Sequence, residues 1–153
     1  MTEDTLEAGR TAHASADWRS AFDLLTALAA SGKLVFPVEV LNELKRWAAE
    51  TSKDLPFQWA KQNASAARRT ASLERVREVL SVVSDVLDKE SQVEEADPYV
   101  LALALEIRAG GQKVVVVTEE RKDRPDKLSM NTACGLLRVP CLPVEALLRE
   151  LRG

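Results

Sequence analysis

The chain has few of the residues that mark disulfide-linked, membrane-spanning or strongly basic proteins. Its two cysteines, Cys134 and Cys141, fit the spacing of neither a redox pair nor a zinc knuckle, so we expect reduced thiols. The longest nearly apolar run, residues 99–105, is far too short to cross a bilayer. The formal charge is −3 with both signs well mixed, which excludes a global basic field for nucleic acid. We therefore expect a cytoplasmic protein without a membrane partner, and only local contacts to any RNA.

Histidine is almost absent, which argues against catalysis by an imidazole. The one histidine, His13, lies in a polar segment, residues 1–16, that lacks the apolar core of a signal peptide. The chain has 153 residues, 46% of them hydrophobic, which suffices for one buried core. We expect a disordered or irregular leader at 1–16 and a single domain at 17–153.

The first half of that domain is predicted to be mainly helical. Apolar residues recur at helical spacing over 17–30, and a short apolar strand follows at 33–36. Pro37 then suits the first turn of another helix. Residues 64–88 are predicted to form one long surface helix, because apolar residues from Leu73 to Leu87 alternate at three- and four-residue spacing.

The second half alternates helix and strand. Asp97 followed by Pro98 is typical of a helix start, and the helix behind it is apolar on nearly every side. Four valines at 114–117 indicate an interior parallel strand that is buried on both faces. A strand at 139–142 and a last helix complete the chain. This order predicts an α/β three-layer domain with a central parallel sheet.

Three carboxylates are expected to meet at the carboxyl end of this sheet, where open parallel sheets bind ligands. Glu43 falls on the apolar stripe of its helix, Asp97 opens the apolar helix, and Glu119 directly follows the valine strand. Each also has a simpler interpretation: a surface ion pair for Glu43, a helix cap for Asp97 and a loop charge for Glu119. Their convergence from separate segments favours a site of oxygen ligands for Mg²⁺ or Mn²⁺.

Several segments, in order, resemble a known family. They are residues 36–44 (FPVEVLNEL), 96–104 (ADPYVLALA) and 117–120 (VTEE), with a closing helix, strand and helix over 131–151. This combination resembles the PIN-domain (PilT N-terminus, VapC-like) family of bacterial toxins and ribonucleases. The resemblance covers residues 17–152.

The resemblance implies a PIN-like fold and the hydrolysis of RNA phosphodiesters by a metal-activated water. It implies that Glu43, Asp97 and Glu119 are both the catalytic residues and the ligands of Mg²⁺ or Mn²⁺. It also implies RNA as substrate, a cognate antitoxin protein as partner and, by analogy, a homodimer. The alternative is a catalytically degenerate PIN-like protein that acts by binding a protein partner.

The chain departs from this family at its start. PIN domains begin with a central strand that ends in aspartate, and nothing before Trp18 matches an apolar run followed by Asp. Three explanations remain: a start truncated relative to its relatives, a degenerate member, or a strand supplied by another chain. A phosphatase-like enzyme is a weaker third possibility, because neither a glycine-rich loop nor an Asp-x-Asp motif is present.

Overall fold

The computed structural model describes residues 18–51, 55–84, 96–118 and 128–152. These residues form mainly helices with a small parallel sheet, which is broadly an α/β arrangement, as expected. None of the helices within these ranges is long and apolar enough to cross a membrane. In chain order the elements are α1 Trp18–Ala30, α2 Val38–Thr51, α3 Leu55–Ala67, α4 Leu73–Val83, α5 Asp97–Ala109, β1 Val116–Val117, α6 Met130–Leu137, β2 Cys141–Leu142 and α7 Val144–Arg152.

The sheet is parallel but shorter than the valine run predicts. β1 pairs in parallel with β2, with Val116 opposite Cys141. Among the described residues β2 is the single strand partner of β1, rather than one of the two neighbours that an interior strand would have. Four consecutive valines thus give a two-residue strand, because strand length depends on the partner as well as on local preference.

The segment predicted as a strand at 33–36 forms an isolated parallel bridge between Phe36 and Arg68. Two backbone bonds hold this bridge: the Phe36 N–H donates to the Ala67 carbonyl and the Arg69 N–H donates to the Phe36 carbonyl, both at 3.0 Å. The described residues therefore contain two separate pieces of parallel pairing.

The single helix expected at 64–88 is instead two helices, α3 and α4. The backbone bonds from Phe36 to residues 67 and 69 draw the chain out of helical geometry at this point. Ser72 then starts α4 as its N-cap, and its side chain accepts a backbone N–H at 3.3 Å. The apolar stripe that predicted the helix begins only at Leu73, after the break, so it carried no signal about residues 68–72.

The two faces of β1 are covered by different helices. Val116 belongs to the main core cluster, which includes Leu101 of α5, whereas Val117 packs against a second cluster that contains Val144 and Leu148 of α7. Adjacent residues of a strand point to opposite faces. Helices α5 and α7 therefore lie on opposite sides of β1.

A tight turn at Gly110 and Gly111 reverses the chain between α5 and β1. Gly111 has φ +89°, a left-handed conformation that glycine adopts without steric cost. The 13 residues of α5 span about 20 Å, and residues 112–118 can span up to about 23 Å. The chain after the turn is therefore long enough to run back along α5 to the level at which α5 begins.

Candidate active site

Glu43 in α2 contacts the beginning of α5. Its Oε2 accepts a hydrogen bond from the backbone N–H of Ala96 at 2.8 Å. Ala96 is the N-cap residue of α5 and is 2% exposed. The first N–H groups of a helix have no partner within the helix, and the helix dipole favours a negative charge there. The Glu43 carboxylate is therefore held at the positive end of a buried helix, not only on a solvated helix face.

Asp97 is the first residue of α5 and is buried, with 6% of its surface exposed. Asp97 is not the N-cap residue of α5, as the simpler interpretation expected, because that position is Ala96. A buried carboxylate must be compensated by hydrogen bonds or by an opposite charge. Its burial at a helix start therefore calls for an explanation other than capping.

The structure brings two of the three predicted site residues together. Glu43 bonds to the backbone of Ala96, which directly precedes Asp97, so the two acids lie at the same end of α5. Glu119 lies outside the described residues; it follows Thr118, which is fully buried at the end of β1. Within the described part of the chain, no group of three or more His, Cys, Asp or Glu residues could hold a metal ion.

One thiol that the sequence reasoning did not place at the site, Cys134, lies near enough to Asp97 to feel its charge, and Cys141 is its hydrogen-bond partner. Cys134 is fully buried in α6, and both it and Cys141 are free cysteines. A hydrogen bond with Cys141, burial and the negative charge of Asp97 together raise the pKa of Cys134 far above its ordinary value. Cys134 therefore stays a neutral thiol and is a poor nucleophile. In the sequence, the only indication that the two thiols lie close together was a short turn between the predicted helix that contains Cys134 and the predicted strand that contains Cys141.

Two arginines near α4 are engaged within the domain. Arg75 forms an ion pair with Glu78 at 2.9 Å and approaches Glu106 at 3.9 Å. The Arg69 guanidinium donates to the carbonyls of Ala66 and Arg68, both at 2.9 Å. These contacts occupy part of the positive charge on this surface.

Comparison with known proteins gives a family. A family model described as a domain of unknown function, DUF4411, matches residues 4–153. The chain belongs to the DUF4411 family. No curated protein and no solved structure matches it. The match spans the segments that carry Glu43, Asp97 and Glu119, so all three acids lie within the DUF4411 domain.

The two described acids of this DUF4411 protein suit a hard divalent cation. Carboxylate oxygens are the ligands that Mg²⁺ and Mn²⁺ prefer, and Mg²⁺ sites commonly use one or two carboxylates with water and substrate phosphate oxygens. Glu43 and Asp97 come from separate helices and meet at a buried helix start. Their chemistry therefore fits such an ion, while the neighbouring thiols are softer ligands and fit it poorly.

Proposed function

We propose that this DUF4411 protein is a metal-dependent ribonuclease with a three-layer PIN-like fold, of toxin–antitoxin type. In this proposal Glu43, Asp97 and Glu119 hold Mg²⁺ or Mn²⁺, RNA is the substrate and a cognate antitoxin is the partner. The observation that carries it is the 2.8 Å bond from Ala96 to Glu43, because it joins two acids from distant segments at one point.

The chain's own residues would position the reaction. When bound, a divalent ion lowers the pKa of water and neutralises charge on a phosphate. The Ala96 N–H fixes the orientation of the Glu43 carboxylate, and burial restricts the motion of Asp97. Preorganised oxygens of this kind need little reorganisation during reaction. Glu119 would complete the ligand set from the end of β1.

The arrangement of layers supports the PIN-like fold. The parallel pairing of β1 with β2, the second parallel bridge at Phe36, and the helices on both sides of β1 are features that such a fold requires. The resemblance of segments 36–44 and 96–104 to PIN proteins adds the expectation of RNA as substrate. A homodimer remains an expectation by analogy with that family.

The test measures metal binding and RNA cleavage separately. Mn²⁺ titration should detect one site in the wild-type chain, and Asp97→Asn should weaken it. The matched control is Glu50→Gln, which alters an exposed acid of α2 and should leave binding unchanged. RNA cleavage should require Mg²⁺ or Mn²⁺ and disappear in Asp97→Asn. Cleavage that survives Asp97→Asn, or Mn²⁺ affinity equal in the two proteins, would contradict the proposal.

The second candidate function is a degenerate PIN-like protein that binds a protein partner. One observation favours it: nothing before Trp18 matches the apolar run followed by Asp with which PIN domains begin. Mn²⁺ binding without any RNA cleavage by the wild-type chain would favour this candidate over the nuclease.

A further inference from the structure

A cavity of about 920 Å³ opens beside β1. Its walls come mainly from α5, α7 and the two segments 32–35 and 112–117. Sites for small molecules are concave and largely apolar, with volumes of roughly 300–1,000 Å³. The volume of this cavity therefore suits one small molecule.

The walls of the cavity are aliphatic. Leu103 and Ile107 of α5 contribute to them, as do Leu147 and Leu151 of α7 and the valines at 114–117. No aromatic side chain from the described ranges borders the cavity. Planar rings such as nucleobases are commonly held by stacking on aromatic side chains. The lining therefore favours a flexible aliphatic chain over a planar ring.

The charged side chains that border the cavity are all cations: Lys33, Arg69 and Lys113. Both lysines are exposed, so they lie where the cavity meets solvent. Neither lysine forms an ion pair with an acid in the part of the chain that the structure describes. The Arg69 guanidinium already donates to two carbonyls, which leaves the lysines as the cations available to a ligand. The charge of the cavity thus complements an anionic headgroup.

The cavity also contains apolar surface that water reaches. Val115 is 45% exposed and Leu151 is 38% exposed, and both border the cavity. They are two of the five large hydrophobic side chains that are exposed among the described residues. An aliphatic chain that covers them removes apolar surface from water, which favours its binding.

We propose that this cavity binds a free aliphatic carboxylate, with its hydrocarbon chain against the aliphatic walls and its carboxylate at Lys33 and Lys113. Side-chain contacts and charge hold such a ligand, so its binding does not depend on which backbone groups of β1 are paired. The proposal is also independent of nuclease activity, because neither Glu43 nor Asp97 borders the cavity.

Isothermal titration calorimetry of the full chain with decanoate tests the proposal. One decanoate should bind per chain. Butyrate keeps the carboxylate but lacks most of the hydrocarbon, and decyltrimethylammonium keeps the hydrocarbon but has the opposite charge. Both should bind at least about tenfold more weakly than decanoate, because each lacks one of the two attractions.

Paired substitutions test the two lysines. Lys33→Gln combined with Lys113→Gln should weaken decanoate binding by at least about threefold, since an exposed ion pair contributes modestly. The matched control, Lys45→Gln combined with Lys61→Gln, removes the same charge at two exposed lysines outside the cavity and should leave binding unchanged. Equal weakening by the two double variants would assign the attraction to the overall charge of the chain and overturn the proposal.

Substitutions in the walls locate the hydrocarbon chain. Val115→Glu should weaken decanoate binding by at least about tenfold, because it places a second negative charge in an apolar cavity. Val82→Glu introduces the same charge at a 51% exposed valine outside the cavity and should leave binding unchanged. If circular dichroism shows that Val115→Glu does not fold, Leu151→Glu with Leu136→Glu as its control provides the same comparison.

Four further outcomes would overturn the proposal. They are absence of decanoate binding by the folded wild-type chain, equal affinity for decanoate and decyltrimethylammonium, equal weakening by Val115→Glu and Val82→Glu, and co-sedimentation with phosphatidylglycerol vesicles without decanoate binding. The last outcome would assign the cavity to a lipid surface instead of a free carboxylate.

Discussion

Substitution of Glu43 should destabilise the fold even without a metal. In Glu43→Ala the N–H of Ala96 loses its acceptor at a position that is 2% exposed. An unpaired buried donor costs about 1–3 kcal/mol. The lost negative charge at the α5 start costs about 0.3–1 kcal/mol more. Glu43→Gln keeps an amide oxygen as acceptor, so it should lose only the smaller, charge-dependent part.

Urea unfolding, followed by circular dichroism in the presence of a metal chelator, measures these differences. The free energy of unfolding should rank wild type above Glu43→Gln and Glu43→Gln above Glu43→Ala, with similar denaturant slopes. Glu50→Gln should change stability by less than about 0.5 kcal/mol. If Glu43→Ala were as stable as the wild type, the Ala96 contact would not hold α2 against α5. If Gln were as damaging as Ala, charge alone would account for the effect.

Two further predictions concern hydrogen bonds away from Glu43 and Asp97. The Trp59 indole N–H donates to the Thr26 hydroxyl at 2.9 Å, so Thr26→Val should lower the free energy of unfolding, measured by thermal unfolding, by about 1–3 kcal/mol. Thr26→Ser keeps the hydroxyl and should retain most of the stability. Equal losses in the two variants would refute the role of this hydrogen bond. Hydrogen bonds from Ser72 lower the pKa of Glu106 below its ordinary value of 4.5. The resulting stabilisation is present above that value and is lost as pH falls through the lower folded-state pKa. Glu106→Gln should therefore flatten that acidic part of the stability curve, and an unchanged curve would refute the assignment.

Helix ends could be predicted wherever a local residue enforces them. The first helix, expected over residues 17–30, ends at Ala30, and Gly32 follows it with φ +78°. The last helix, expected after the strand at 139–142, begins at Val144 directly after Pro143, because proline suits a helix start. Such signals act within a few residues, so one sequence suffices to read them.

The breaks and strand lengths depend on distant residues and could not be predicted in the same way. Nothing within 64–88 shows that residues 67 and 69 bond to Phe36, more than thirty positions earlier. Likewise, the four-valine run indicates a buried strand but not how many partners it has. Strand pairing is a property of two segments, so the composition of one segment does not specify it.

The candidate site was predicted in part. Helical phase correctly directed Glu43 inward, and the order of elements correctly brought it to the start of the apolar helix. Helical periodicity could not identify the backbone N–H of Ala96 as the partner of Glu43, nor could it place Cys134 near Asp97. Both contacts depend on how helices pack, which periodicity does not specify.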